Sequence, residues 1–206
     1  MSYLRIVLVA MLLGFLAYLN QQLYGANASG KSNVILALEA FRKIIVHSIN
    51  KKPSESFLYK SFAFDEQSKN LPTEFEISLV VEFTNNNGLK VPVRVDYGFS
   101  YDSKRIYEEW LFVYPKGRAQ TWFHRKYDRE SDLYDWNLRD YLKGEKTSWK
   151  NQTREDKLFL STVVSLNSNQ LLEIMNEIIG SNDDFETHRR VSTYHLLLEN
   201  EQNKKT

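Results

Sequence analysis

Apolar residues in "SNVILALEAFRKIIVHSI" recur at intervals of three and four. Val34, Ile35, Leu38, Phe41, Ile44 and Ile45 fall on one face, which predicts an amphipathic helix. "NKKPSES" then breaks the pattern with Pro53 and polar residues, a predicted lobe boundary. From there the period changes to two. "EFEISLVVEF" and "VPVRVDYGFSY" alternate on either side of a turn with Asn87-Gly88 at its tip, and "RIYEEWLFVYP" and "AQTWFHRKYD" follow across the short loop "KGR". Four strands in tight succession predict an antiparallel meander with one apolar and one wet face.

Beyond Asp128 the chain reads as charged and helical again. "DLYDWNLRDYLKGEK" is a mixed segment, and "TREDKLFLSTVVSLNSNQLLEIMNEIIG" predicts one or two helices stopped by Gly180. The tail "DDFETHRRVSTYHLLLENEQNKKT" predicts a last helix before fraying. The expected fold is α/β with an α+β lobe. Residues 1–24 form an apolar N-terminal segment, residues 25–50 a loop and its helix, residues 55–128 the antiparallel β lobe, and residues 129–206 a mainly helical segment.

The first helix follows "LYGANASGKSN", in which Gly25, Gly30, Lys31 and Ser32 satisfy the full G-x-x-x-x-G-K-[ST] spacing of a phosphate-binding loop. Each element has a physical reason. Glycines permit backbone angles that side chains forbid, so the N–H groups of Ala28 to Ser32 can point into one concave nest around an anion. Lys31 supplies a point charge for the β- and γ-phosphates, and the Ser32 hydroxyl a ligand for Mg²⁺. The helix start adds its own preference for negative charge. The expected nucleotide site is Gly25, Ala26, Asn27, Ala28, Ser29, Gly30, Lys31, Ser32 and Asn33, with ATP and Mg²⁺ as cofactors.

A competing reading comes from what precedes the loop. "MSYLRIVLVAMLLGFLAYLNQQ" runs without charge from Ile6 to Leu19 after Arg5, like a secretory leader, and Ala26-Asn27-Ala28 offers a cleavage site. Cleavage there would sever the loop, so the two readings exclude each other. The run is also short for a membrane span. The expectation is that at least Leu16 to Tyr24 is the strand feeding the loop and that the chain is cytoplasmic. The alternative is a membrane-anchored or exported β-rich binding module, anchored through residues 4–20, with an accidental loop match.

Composition narrows the classes. In 206 residues, 27 Lys+Arg stand against 26 Asp+Glu, so the overall charge leaves no nucleic-acid footprint. Absence of cysteine excludes disulfides, thiolate zinc sites and thiol nucleophiles. His47, His124, His188 and His195 lack ligand spacing. "YPKGRAQTWFHRKYDR" interleaves Lys116, Arg118, Arg125 and Lys126 with Tyr114, Trp122, Phe123 and Tyr127, as single-strand nucleic-acid binders do. A strand pair with its rings inward gives the same string. Glu155-Asp156 beside Arg154 reads as a solvated helix start rather than a catalytic pair.

Taken together, "YGANASGKSN", the helix, the meander with "EEWLFVYPKGRAQTWFHR" and then "SWKNQTREDKLFLSTVVSLNSNQL" resemble the N-terminal half of the prokaryotic AAA family ATPases with an ABC-type, SMC-like head. These belong to abortive-infection and phage-defence systems, and the resemblance runs from Leu23 to Ile179. It implies a partial P-loop NTPase head in which Gly25 to Ser32 hold the triphosphate, Lys31 clamps charge and Ser32 meets the metal. It also implies ATP hydrolysis, two heads sandwiching nucleotide as a homodimer, and control of a defence effector protein. Two departures qualify this. No strand of four apolar residues is followed by Asp-Glu, the usual source of the metal-holding and water-orienting carboxylates, and the signature segment is missing. Ser165 stands where such heads place a sensing glutamine. The expectation is a truncated or split member that lacks the C-terminal half of the head, binds nucleotide and hydrolyses it hardly at all.

Overall fold

Period-two alternation builds the strands it predicts. A computed structural model describes residues 4–9, 31–53, 55, 72–85 and 87–179. The meander comprises β2 (Thr73–Thr84), β3 (Lys90–Tyr101), β4 (Ile106–Tyr114) and β5 (Gln120–Asp128). With β1 (Leu4–Val9) and β6 (Leu133–Leu138) they form a six-stranded sheet in sequence order. β2 to β6 are antiparallel, and β1 runs parallel to β2 with Leu4 opposite Thr73.

Two strands, β1 and β6, add to the four of the meander. The described strand ahead of the loop is Leu4–Val9, whereas Leu16 to Tyr24 lies outside the described residues. Its unbroken apolar "IVLV" is the pattern of a parallel strand. β6 arises in the segment read as mixed and helical. There Tyr134, Trp136 and Leu138 alternate with Asp135 and Asn137, and flanking charges mask a short edge strand. The β5–β6 turn is set by Asp128, whose carboxylate accepts from Glu130 N at 3.1 Å and Ser131 Oγ at 2.7 Å, while Asp132 takes φ 56°.

The helices are α1 (Lys31–Asn50), α2 (Lys146–Gln152), α3 (Phe159–Ser165) and α4 (Asn169–Ile179). α1 lays Leu38, Phe41, Ile44 and Ile45 on the sheet's inner face. Phe41 stacks on Phe99 at 5.3 Å and tilts against Phe75 and Tyr97. α3 adds Phe159, edge-on to Phe123 at 4.9 Å, and α4 adds Leu171, Ile174, Met175 and Ile178. One continuous core runs from Leu38 to Ile179, so the helix before Pro53 and the sheet after it share their apolar contacts. Each fully buried Leu, Ile or Phe contributes about 1.5–3 kcal/mol relative to exposure. On the opposite face Trp110 lies over Gly98, where a Cβ would fall 2.3 Å from the indole and 2.7 Å from Phe75 O.

Candidate nucleotide site

Lys31 is the first residue of α1, with Ser32 and Asn33 following in its first turn. Gly25, Ala26, Asn27, Ala28, Ser29 and Gly30 lie outside the described residues. The described helix thus opens at the motif's lysine. The first amides of a helix have no acceptor within it, and aligned peptide dipoles place about +0.5 charge at such an end. No acidic side chain occupies the first turn. A lysine as first residue runs against the usual preference of helix starts for carboxylates. A bound polyanion would reverse that conflict, and such local violations collect at functional sites.

The other end of α1 is fastened by polar contacts. Arg42 Nε donates to Ile178 O at 2.9 Å, Ser161 Oγ donates to Ile45 O at 2.9 Å, and Leu158 N donates to Ser48 Oγ at 2.7 Å. Lys51 Nζ lies 2.6 Å from Asp156 Oδ2 and also donates to Glu55 O. Arg154 Nη2 reaches Lys51 O at 3.0 Å, while its Nε holds Asp156 Oδ1 at 2.8 Å. Ser48, Ser161 and Lys51 are buried. Burial opposes charge on Asp156, but hydrogen bonds from Arg154 and Lys51 overcome this and hold its carboxyl below the usual value. Asp156 thus belongs to the helix mooring, and Glu155 pairs with Arg105 at 2.8 Å. Sequence reasoning missed this mooring because the partners lie 103 to 136 positions apart, where no local pattern links them.

A second polar group is wholly internal. Glu109 Oε2 lies 3.0 Å from Arg125 Nε as an ion pair that lacks hydrogen-bond alignment, with both side chains fully buried. Phe159 N at 2.6 Å, Leu160 N at 2.9 Å and Tyr97 Oη at 3.1 Å also donate to Glu109. Arg125 donates to Arg154 O and Lys157 O and faces the rings of Tyr134 and Trp136. These contacts join β3, β4 and β5 to the start of α3. On the outer face Glu108 takes His124 Nε2 at 2.7 Å and Lys126 Nζ at 3.4 Å. Its carboxyl is held below the usual range, chiefly by the hydrogen bond from His124.

The basic-aromatic strand pair turns Trp122 and Phe123 inward and leaves Tyr114 and Tyr127 half-buried under arginines. Phe123 and Arg125 are fully buried and Trp122 nearly so, while Tyr114 carries Arg94 on its face at 4.7 Å. Ser165 donates to Thr162 O at 2.7 Å inside α3. Among the described residues no group of three or more His, Asp or Glu side chains could hold a metal ion. No helix among them is long and apolar enough to cross a membrane.

The described residues form a mixed α/β architecture in which α1 follows a phosphate-loop motif in the sequence, consistent with a P-loop ATPase-like domain. The family model described as "AAA domain, putative AbiEii toxin, Type IV TA system" matches residues 23–159. The chain belongs to that prokaryotic AAA-type family of toxin–antitoxin and abortive-infection ATPases. Nucleotide binding is general to such domains. Comparison with curated proteins found no match, and comparison with solved structures found none.

Proposed function

We propose that the chain is the ATP-binding part of an ABC-type, SMC-like head, with the triphosphate and its Mg²⁺ held by Gly25 to Asn33. The observation that supports this best is that the motif runs straight into the helix α1, with no acid in residues 31–34, inside the segment the AAA family model matches. In this reading the amides of Ala28 to Ser32 wrap the phosphates, Lys31 clamps their charge and Ser32 meets the metal. Mg²⁺, when held there by Ser32, would supply charge neutralisation for the triphosphate.

The carboxylate pair needed for hydrolysis is not found as an apolar strand ending in Asp-Glu, and the described acids that resemble candidates are occupied. Glu109 is buried in its ion pair, and Glu108 is held by His124 and Lys126. The proposed activity is therefore nucleotide binding. Turnover depends on a second copy or on the remaining half of the head, and the nucleotide state is read by a defence effector.

Calorimetric titration with Mg·ATP of the wild type and Lys31→Ala tests this. Saturable binding should weaken at least tenfold in the variant, in line with about 1.5–3 kcal/mol for a charge-assisted contact. Equal affinity in both proteins, or none in either, would make the motif an accidental match.

A further inference from the structure

The polar contacts of α1 follow a rule. Arg42, Ile45, Ser48 and Lys51 are spaced by three, and their partners Ile178, Ser161, Leu158 and Asp156 run in the opposite direction. From Arg42 to Lys51, just past the helix end, these contacts advance about 4.5 Å and turn about 60° per step, so they wind half-way round α1 and pass across its buried face. The sheet side of the same helix is apolar, and burial of apolar surface is non-directional. Such a face packs its ridges into grooves that repeat about one turn or 5.4 Å apart, so alternative settings resemble one another. The hydrogen bonds distinguish them, since they do not survive a shift of that size.

The Lys51–Asp156 pair, with the lysine 2% and the aspartate 14% exposed, makes the same point. Removing both charges from water offsets much of their attraction, so such pairs are weak devices for stability and better attested as devices of registry.

We infer that Ser48, Lys51, Asp156 and Ser161 are positioning residues that fix the axial and rotational setting of α1, and with it the phosphate-binding end roughly 25 Å from Ser48. The inference rests on the reading of that end as the nucleotide site. Its consequence is that the segment from Arg154 to Ile178 governs nucleotide affinity without touching nucleotide.

The test uses Ser161→Ala, which removes one rung with little loss of volume, and Asp156→Asn, which breaks the charged rung. Both are compared with wild type at a temperature where circular dichroism shows full folding. Hydrogen exchange should rise tenfold or more at the α1 amides of residues 34–41, far from either substitution, with β3 and β4 unchanged. Mg·ATP affinity should fall five- to twentyfold. Exchange confined to residues 45–51 and 153–162, or raised equally across the sheet, would overturn the inference. So would unchanged affinity in both variants. If wild type binds no ATP, the proposed function fails, and the exchange pattern still decides whether the ladder sets the helix.

Discussion

Separating Glu109 from Arg125 should be the most damaging polar change in the described part of the molecule. The carboxylate is fully buried, 3.0 Å from the guanidinium, and satisfies Phe159 N, Leu160 N and Tyr97 Oη. In Glu109→Gln one oxygen becomes an amide donor aimed at Phe159 N or Arg125, both donors already, and the buried guanidinium loses its counter-charge. In Arg125→Met the volume is largely kept, but a carboxylate remains internal without its cation. Breaking one side of a buried pair costs about 3–5 kcal/mol, a large part of the 5–15 kcal/mol typical of a domain.

Urea denaturation followed by tryptophan fluorescence reads this as a midpoint shift of about 1–2 M. The double variant Glu109→Gln/Arg125→Met removes both charges. It should therefore be milder than the sum of the single changes, with a coupling of about 1–3 kcal/mol. Single variants within 1 kcal/mol of wild type, or additivity within about 0.5 kcal/mol, would refute the assignment of these charges to one another.

Three further outcomes follow from the same geometry. Gly98→Ala sets a methyl 2.7 Å from Phe75 O and within the Trp110 ring, and should lower stability by about 1–3 kcal/mol, measured as a thermal shift with loss of near-ultraviolet signal. Asp156 has an ordinary value of 3.8 and is held below it by Arg154 and Lys51 against the cost of burial. The unfolded chain therefore takes up that proton first as pH falls, so the stabilisation is complete above 3.8 and lost below it. Asp156→Asn should reduce the acid slope of stability, while Asp96 and Glu108, depressed likewise, preserve part of it. His47 is shifted below 6.5 by burial, so protonation favours the unfolded chain and stability declines as pH drops through 6.5. His47→Gln should flatten that stretch in denaturation curves taken at stepped pH.

Much of this architecture is legible in the residues. Alternation locates β2 to β5, and the three-four spacing of Leu38, Phe41, Ile44 and Ile45 gives both α1 and its buried face. The same alternation carried an unused signal. Glu109 shares a face with Leu111 and Val113, and Arg125 with Phe123, so period two places both charges inward, where the register sets them opposite each other. β6 was illegible because a short edge strand amid Asp132, Arg139 and Asp140 lacks a hydrophobic run. The mooring of α1 was illegible for a different reason. Its rungs join residues more than a hundred positions apart, and a lone Ser48 or Ser161 carries no local mark of a distant partner. The helix after the phosphate-loop motif was legible from its three-four spacing, while Gly25 to Gly30 of the motif lie outside the described residues.

Amide spectra of the ¹⁵N-labelled protein, followed while Mg·ATP is added, would show where an anion settles. Saturable shifts should be largest from Gly25 to Asn33 and should vanish in Lys31→Ala. Shifts centred instead on the outer strand surface around Lys126 and Arg129, or no saturable shift at any concentration, would contradict a phosphate site at the start of α1.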